Sequence, residues 1–125
     1  MSESNENLLR RYLACLNNKD LAGCMACFAD GSLIRIRDKE HAGLKAIEAW
    51  HTERFGANLR ALEPENYRLS DGEASIDFQL TSDRLAGRRL EKLPATLIAA
   101  VEGTQFSQAQ IKIRLGAGLL NLFGF

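Results

Sequence analysis

The stretch Tyr-Leu-Ala-Cys-Leu-Asn-Asn-Lys-Asp-Leu-Ala-Gly-Cys-Met-Ala-Cys-Phe, residues 12–28, constrains the fold more than any other part of the chain. Leu8, Leu9, Tyr12, Leu13 and Leu16 recur at helical spacing and define one buried stripe. Asn17-Asn18-Lys19 interrupts the period, and Asp20 follows where its carboxylate can cap a second helix by accepting from a free backbone N–H. That helix carries Leu21, Cys24, Met25 and Phe28 inward, and Gly31 marks its exit into a strand. Two helices meeting at a sharp corner and running at once into a strand leave the rest of the chain one task, to cover both stripes.

The first helix is predicted over residues 4–16 with Ser4 as its cap, and the second over residues 20–28. Residues 32–37 alternate, with Ile34 and Ile36 on one side and Leu33, Arg35 and Arg37 on the other, so they read as a strand. Asp38-Lys39-Glu40-His41 reads as a charged, solvated turn. Gly43 opens a third helix through Leu44, Ile47, Trp50 and Phe55, loosely on one face, and Gly56 offers the left-handed stop that glycine permits.

From there the period changes to that of strands. Residues 58–69 are weakly extended, and Pro64 fits an edge or a bulge rather than a sheet centre. Ser70-Asp71-Gly72-Glu73 is a strong hairpin turn. Residues 74–81 alternate cleanly, with Ile76, Phe78 and Leu80 opposed to Ser75, Asp77, Gln79 and Thr81. A turn at Leu85-Ala86-Gly87-Arg88 leads to a long strand over residues 90–101, whose second half reads as buried on both faces. A last strand covers residues 106–115. The order α-α-β-α followed by antiparallel strands defines one α+β domain over residues 1–125, with helices on one face of a curved sheet.

Composition excludes more than it identifies. Sixteen basic and sixteen acidic residues balance, so no electrostatic argument favours nucleic acid or an anionic membrane. The start, Ser2-Glu3-Ser4-Asn5-Glu6-Asn7, lacks the basic and apolar run of a signal peptide, and no apolar segment reaches membrane-span length. Three cysteines, an odd number, argue for reduced thiols and a cytoplasmic location.

Three segments carry a family resemblance: Tyr12-Leu-Ala-Cys-Leu-Asn-Asn-Lys-Asp-Leu21, then Phe28-Ala-Asp-Gly31, then Gly43 leading to Ile47-Glu-Ala-Trp50. With them the chain resembles the nuclear-transport-factor-2-like (NTF2-like) superfamily and, within it, the SnoaL-like proteins. The resemblance implies a cone, in which a strongly curved, mainly antiparallel sheet packs on three N-terminal helices and leaves an apolar pocket at the open end. It implies a homodimer paired through the outer sheet face. Relatives include ketosteroid isomerases, dehydratases, epoxide hydrolases, polyketide cyclases and pure binding or scaffold modules, so the scaffold does not define the chemistry.

Carried over residue by residue, the resemblance places Tyr12 where the isomerases hold the tyrosine that donates to a developing oxyanion. His51 falls near a supporting tyrosine, and Phe28 replaces a third. The isomerases' carboxylate base would fall near Ile36 and their second acid near Leu97, and neither side chain can move a proton, which argues against steroid isomerisation by that route. Read from the residues alone, Tyr12 is a core tyrosine or a functional donor, since a buried phenol needs a partner in both cases. His51 beside Trp50 reads as a surface or core-edge residue, because only one of two neighbours can point fully inward. Asp77 and Gln79 sit either inside, as acid, base or anchor, or on the outer face. The outer face is preferred, because Ile76, Phe78 and Leu80 suit the helices. Arg35 and Arg37 read as a solvated edge, with an anionic ligand as the alternative. Cys24 and Cys27 have CxxC spacing without a second pair, so they read as small hydrophobes and no metal is expected.

The sequence thus predicts a protein that binds a small hydrophobic molecule, without a cofactor, in a pocket lined by Leu16, Ile34, Ile36, Trp50 and Phe78. The catalytic alternative is a cofactor-independent isomerase, cyclase or hydratase with Tyr12 as hydrogen-bond donor and His51 or Asp77 as proton carrier. A non-catalytic dimeric scaffold is the third reading. The tail, residues 116–125, holds Leu119, Leu120, Leu122, Phe123 and Phe125, an apolar set that must be covered by its own domain or by a second subunit. Deleting the residues after Leu115 is therefore expected to lower solubility or the melting temperature. A truncated protein that stays soluble with an unchanged melting temperature would contradict both versions.

Overall fold

The computed structural model of the chain describes residues 4–36, 38–83 and 92–113. Helices α1 (Asn5–Asn17) and α2 (Leu21–Ala26) lead into strand β1 (Phe28–Ile36), a short β2 (Lys39–Ala42) and helix α3 (Leu44–Gly56). Strands β3 (Arg60–Ser70), β4 (Glu73–Thr81), β5 (Leu93–Glu102) and β6 (Gln105–Ile113) follow. They form one open six-stranded sheet in the order β2-β1-β6-β5-β4-β3. Every pair is antiparallel except β1 with β6, which is parallel, so the sheet is mixed. The chain is α+β, as its sequence predicts. The turn anticipated at residues 85–88 and the apolar tail lie outside the described residues.

The corner between α1 and α2 forms through backbone bonds. The Lys19 N–H donates to Leu16 O at 3.2 Å and the Asp20 N–H to Cys15 O at 2.9 Å, while Lys19 takes a left-handed φ of 54°. This is the Schellman closure of a helix end, here without glycine. Asp20 then caps α2 by accepting from the Gly23 N–H at 2.9 Å, and Ser4 caps α1 in the same way. A Cβ at Gly23 would overlap the Asp20 carboxylate and lie 2.6 Å from Cys15 Sγ, so both side chains would have to shift.

α3 ends by the same device, with Leu59 N–H donating to Arg54 O and Asn58 at φ 56°. The left-handed residue is thus Asn58 and not Gly56, because the helix runs two residues further than glycine's preference indicates. Gly43 holds a φ of 88° and donates its N–H to Ser32 O at 2.8 Å, which fixes the start of α3 against β1.

Four other expectations are corrected. Residue Phe28 opens β1 rather than closing α2, because the Phe106 N–H donates to Cys27 O and draws Phe28 into register with β6. Residues 38–41 are solvated but not a turn throughout: Asp38 turns, Lys39 to Ala42 pair with β1, and the Arg35 guanidinium meets Glu40 at 2.6 Å across that pairing. Strand β5 is not buried on both faces over its second half. It alternates, with Leu97 and Ala99 buried and Ile98 and Ala100 half-buried, because among the described residues α1 and α3 cover one sheet face. His51 lies at 0% exposure beside Trp50 at 4%, so both neighbours are inside.

The inner sheet face supplies Ile34, Ile36, Ala74, Ile76, Phe78, Leu80, Ala95, Leu97, Ala99, Phe106, Ala109 and Ile111 to a single core with α1 and α3. Edge strand β3 is interrupted by register shifts on both sides of Glu65, with Glu63 and Asn66 in left-handed conformations, and Pro64 sits between them. Such interruptions blunt an edge against further strand pairing. The other end of β3 is held by Asn17, whose side-chain amide donates to Ala61 O and accepts from the Ala61 N–H, both at 2.6 Å. The amide pairs with β3 as a neighbouring backbone would, and Ala61 is 1% exposed. Replacing Asn17 with Ala leaves a buried N–H and C=O unmet, so the Asn17→Ala protein is expected to lose about 1–3 kcal/mol in urea unfolding. A loss below about 0.5 kcal/mol would show that water replaces the clamp.

Candidate functional site

The candidate site is a buried polar pair in an aromatic enclosure. Tyr12 comes from the inner stripe of α1 and His51 from that of α3, and both have 0% exposure. The Tyr12 hydroxyl lies 2.7 Å from His51 Nε2, and His51 Nδ1 lies 2.7 Å from Ile47 O, one turn earlier in α3. A carbonyl can only accept, so Nδ1 carries the ring proton. Burial holds the His51 pKa below its ordinary value, against a smaller opposing effect of the Ile47 hydrogen bond. The ring is therefore neutral, Nε2 is an acceptor, and the Tyr12 O–H donates to it. Direction runs one way, from Tyr12 to His51 to Ile47.

Rings close round the pair edge to face. Tyr12 meets Phe28 of β1 and Phe106 of β6 at 5.5 Å each, and those two meet each other at 5.3 Å. His51 meets Trp50 at 4.9 Å and Phe28 at 5.8 Å. This apolar surround raises the Tyr12 pKa well above its usual 10, first through burial and then through the nearby thiols of Cys24, Cys27 and Cys15. Tyr12 is thus a neutral phenol at any ordinary pH. Trp50 in turn lies under the Arg54 guanidinium, 5.7 Å from the ring centroid.

The other predicted site residues divide between two places. Leu16, Ile34, Ile36, Trp50 and Phe78 are all buried, at 0–4% exposure, in the same core as the pair. Ile36 and Leu97 are apolar and buried, so neither supplies a carboxylate to that interior. Asp77 is not brought to the pair. It lies on the outer sheet face, between buried Ile76 and Phe78, and accepts from Arg68 at 3.0 and 3.2 Å, from Thr96 at 2.8 Å and from Asn66 at 3.3 Å. The Arg68 guanidinium above all holds its carboxyl well below the usual range, and a carboxylate so fully bonded is a poor proton carrier.

Cys24 and Cys27 are buried, the Cys27 thiol donates to Gly23 O at 3.4 Å, and burial pushes the Cys24 thiol up, away from the thiolate form that reacts. Among the described residues, no three His, Cys, Asp or Glu side chains converge as a metal site. An open groove of about 660 Å³ lies on the exposed side of α3, lined by Leu44, Lys45, Glu48, Ala49, Thr52 and Glu53, and shares no residue with the pair.

Sequence reasoning missed Phe106, which encloses the phenol, and Ser32 and Ser82, whose buried hydroxyls have no hydrogen-bond partner among the described residues. Ser32 is in phase with Ile34 and Ile36 on β1, so its inward position was readable from alternation. Phe106 offered no signal beyond being apolar in a strand.

No family model matches the sequence, and no curated protein matches it. Solved structures do match. The protein Bal32a from a soil-derived mobile gene cassette superposes with a TM-score of 0.80 at 15% identity, over 95% of each chain. An NTF2-like protein of unknown function from Burkholderia pseudomallei gives 0.77 at 15%, over 97% of this chain and 98% of its own. A protein provisionally named a ketosteroid isomerase, from Kribbella flavida, gives 0.75 at 14%, over 92% and 81%. The chain has the NTF2-like fold. At these identities the likeness is one of fold.

The neutral, buried His51 makes stability depend on pH. In the unfolded chain a histidine titrates near 6.5, and below that pH it binds a proton that the native ring resists. The stabilising contribution is complete above about pH 6.5 and is lost as pH falls toward the lower native pKa. Wild-type unfolding free energy is therefore expected to decline between about pH 7 and pH 5, with a shallower decline in His51→Phe. Asp77 adds nothing in that window, since its own contribution fades only near and below the unfolded carboxyl pKa of about 4. Equal slopes for the two proteins would show that His51 is not the group concerned.

Proposed function

We propose that this protein binds a small, largely apolar organic molecule against the Tyr12–His51 pair, in the concave interior of its NTF2-like fold. The observation that carries this reading is the pair itself. Two apolar side chains of similar shape would fill the space with little loss of stability, whereas a hydrogen-bonded phenol and imidazole need a matched partner on each side. Such a pair amid Phe28, Phe106 and Trp50 provides what a ligand site requires, apolar walls with a few placed polar atoms. Leu16, Ile34, Ile36 and Phe78 extend those walls. Since Tyr12 and His51 are both at 0% exposure, entry requires the surrounding side chains to part.

Binding is favoured over turnover. The isomerase name of the Kribbella flavida protein belongs to a chain 14% identical to this one. An isomerase, cyclase or hydratase acting on a carbonyl compound would need a proton carrier at the ligand. Asp77 is committed to Arg68 and Thr96 on the other face, which leaves His51 as the one imidazole at the pair. Two copies would pair through the outer sheet face, where Leu33 and Ile98 are half-buried and Ile98 lies between Ser75 and Gln110, and three cysteines, an odd number, fit a reducing compartment.

Native mass spectrometry of freshly purified protein tests both parts. The expected result is a dimer carrying extra mass that denaturation releases, with at least a threefold lower occupancy in Tyr12→Phe. Bare protein that also shows no melting shift with a panel of apolar aromatic compounds would overturn the ligand reading. A monomer would overturn the pairing.

A further inference from the structure

The direction of the hydrogen bonds says what kind of polar atom the ligand brings. We propose that the Tyr12–His51 pair selects a ligand hydroxyl over a ligand carbonyl: the ligand donates its O–H to the free lone pair on Tyr12 Oη. This rests on the ligand reading above and narrows it to apolar alcohols, phenols or enols.

The argument is one of proton counting. His51 Nδ1 spends its proton on Ile47 O at 2.7 Å, so Nε2 has only a lone pair. The Tyr12 hydroxyl spends its single proton on that lone pair, again at 2.7 Å. What the pair offers an incoming molecule is therefore an acceptor, the remaining lone pair of the phenol oxygen, and no donor. A carbonyl could be served in two ways only. It could take the Tyr12 proton, which strands Nε2 without a partner inside a ring of aromatic edges. Or His51 could gain a proton and reverse the bond to Tyr12, which burial opposes. Among the described residues no cation stands at the pair to favour either route on the ligand side: Tyr12 is flanked by Cys15, Cys24 and Cys27, and Arg54 is engaged over Trp50. A hydroxyl ligand leaves both existing hydrogen bonds of the pair in place and adds one.

Three probes of one shape separate the possibilities: 2-naphthol, which donates, 2-methoxynaphthalene, which does not, and 2-naphthaldehyde, which only accepts. Calorimetric titration of the full chain is expected to give 2-naphthol an affinity at least about tenfold above the other two, the factor that one well-made buried hydrogen bond supports. In Tyr12→Phe the advantage should shrink to within about twofold, since the acceptor oxygen is gone. In His51→Phe the Tyr12 proton is released, and the preference should invert toward the aldehyde. Tyr12→Phe carries the test if His51→Phe does not fold.

A long-range proton–nitrogen spectrum of the nitrogen-15-labelled wild type reads the tautomer without any ligand. It should show a protonated Nδ1 and a bare Nε2. The reverse tautomer overturns the proposal outright. Equal binding of all three probes overturns it while leaving the ligand reading standing, and points to another donor such as the unpartnered Ser32 hydroxyl. Binding of none removes both.

Discussion

The Tyr12 side chain is where the elements of this fold are tied together. Its ring packs edge-on against Phe28 of β1 and Phe106 of β6, and its hydroxyl reaches His51 of α3. One residue of α1 thus touches the parallel strand pair β1–β6 and the helix α3. The edge-to-face geometry suits the ring quadrupoles, and the hydroxyl would be costly to bury without its acceptor. Each neighbour is held in turn: His51 by its own helix, Phe28 by the register with Phe106, and α1 by the Asn17 clamp on β3.

That arrangement explains why two polar residues occupy the inner stripe of α3. Ile47, Trp50, His51 and Arg54 are its buried residues, at spacings of three, one and three. Half of them are polar, so the helix carries little hydrophobic contrast between its faces. Its stability comes from specific partners, a phenol for His51 and an indole face for Arg54, rather than from a greasy stripe.

The sheet separates two kinds of chemistry. Inward, polar atoms are few and directional. Outward, Asp77 gathers Arg68, Thr96 and Asn66 into a network spanning three strands, and Arg35 meets Glu40 across another pair. Strand alternation assigns these sides, because neighbouring residues must point oppositely. Asp77 therefore stabilises strand pairing from outside while Ile76 and Phe78 fill the interior.

Much of this was legible in the amino-acid sequence. The stripe from Leu8 to Leu16, the Asp20 cap, the hairpin at Asp71-Gly72 and the alternation of residues 74–81 follow from local periodicity and local bonding, which act over a few residues. These four features were read correctly for that reason, whereas the left-handed stop of α3 fell on Asn58 and not on Gly56. The burial of His51 was not legible, because a histidine next to a tryptophan carries no sign of a phenol arriving from 39 residues earlier in the chain. Nor was β2, whose charged residues Lys39 and Glu40 become a strand only by pairing with β1. The sequence by itself determined the class of fold and the two faces of the sheet. The tertiary structure decided which polar groups share the interior and which way their protons point, because a hydrogen bond between distant residues exists only once the chain has brought them to 2.7 Å.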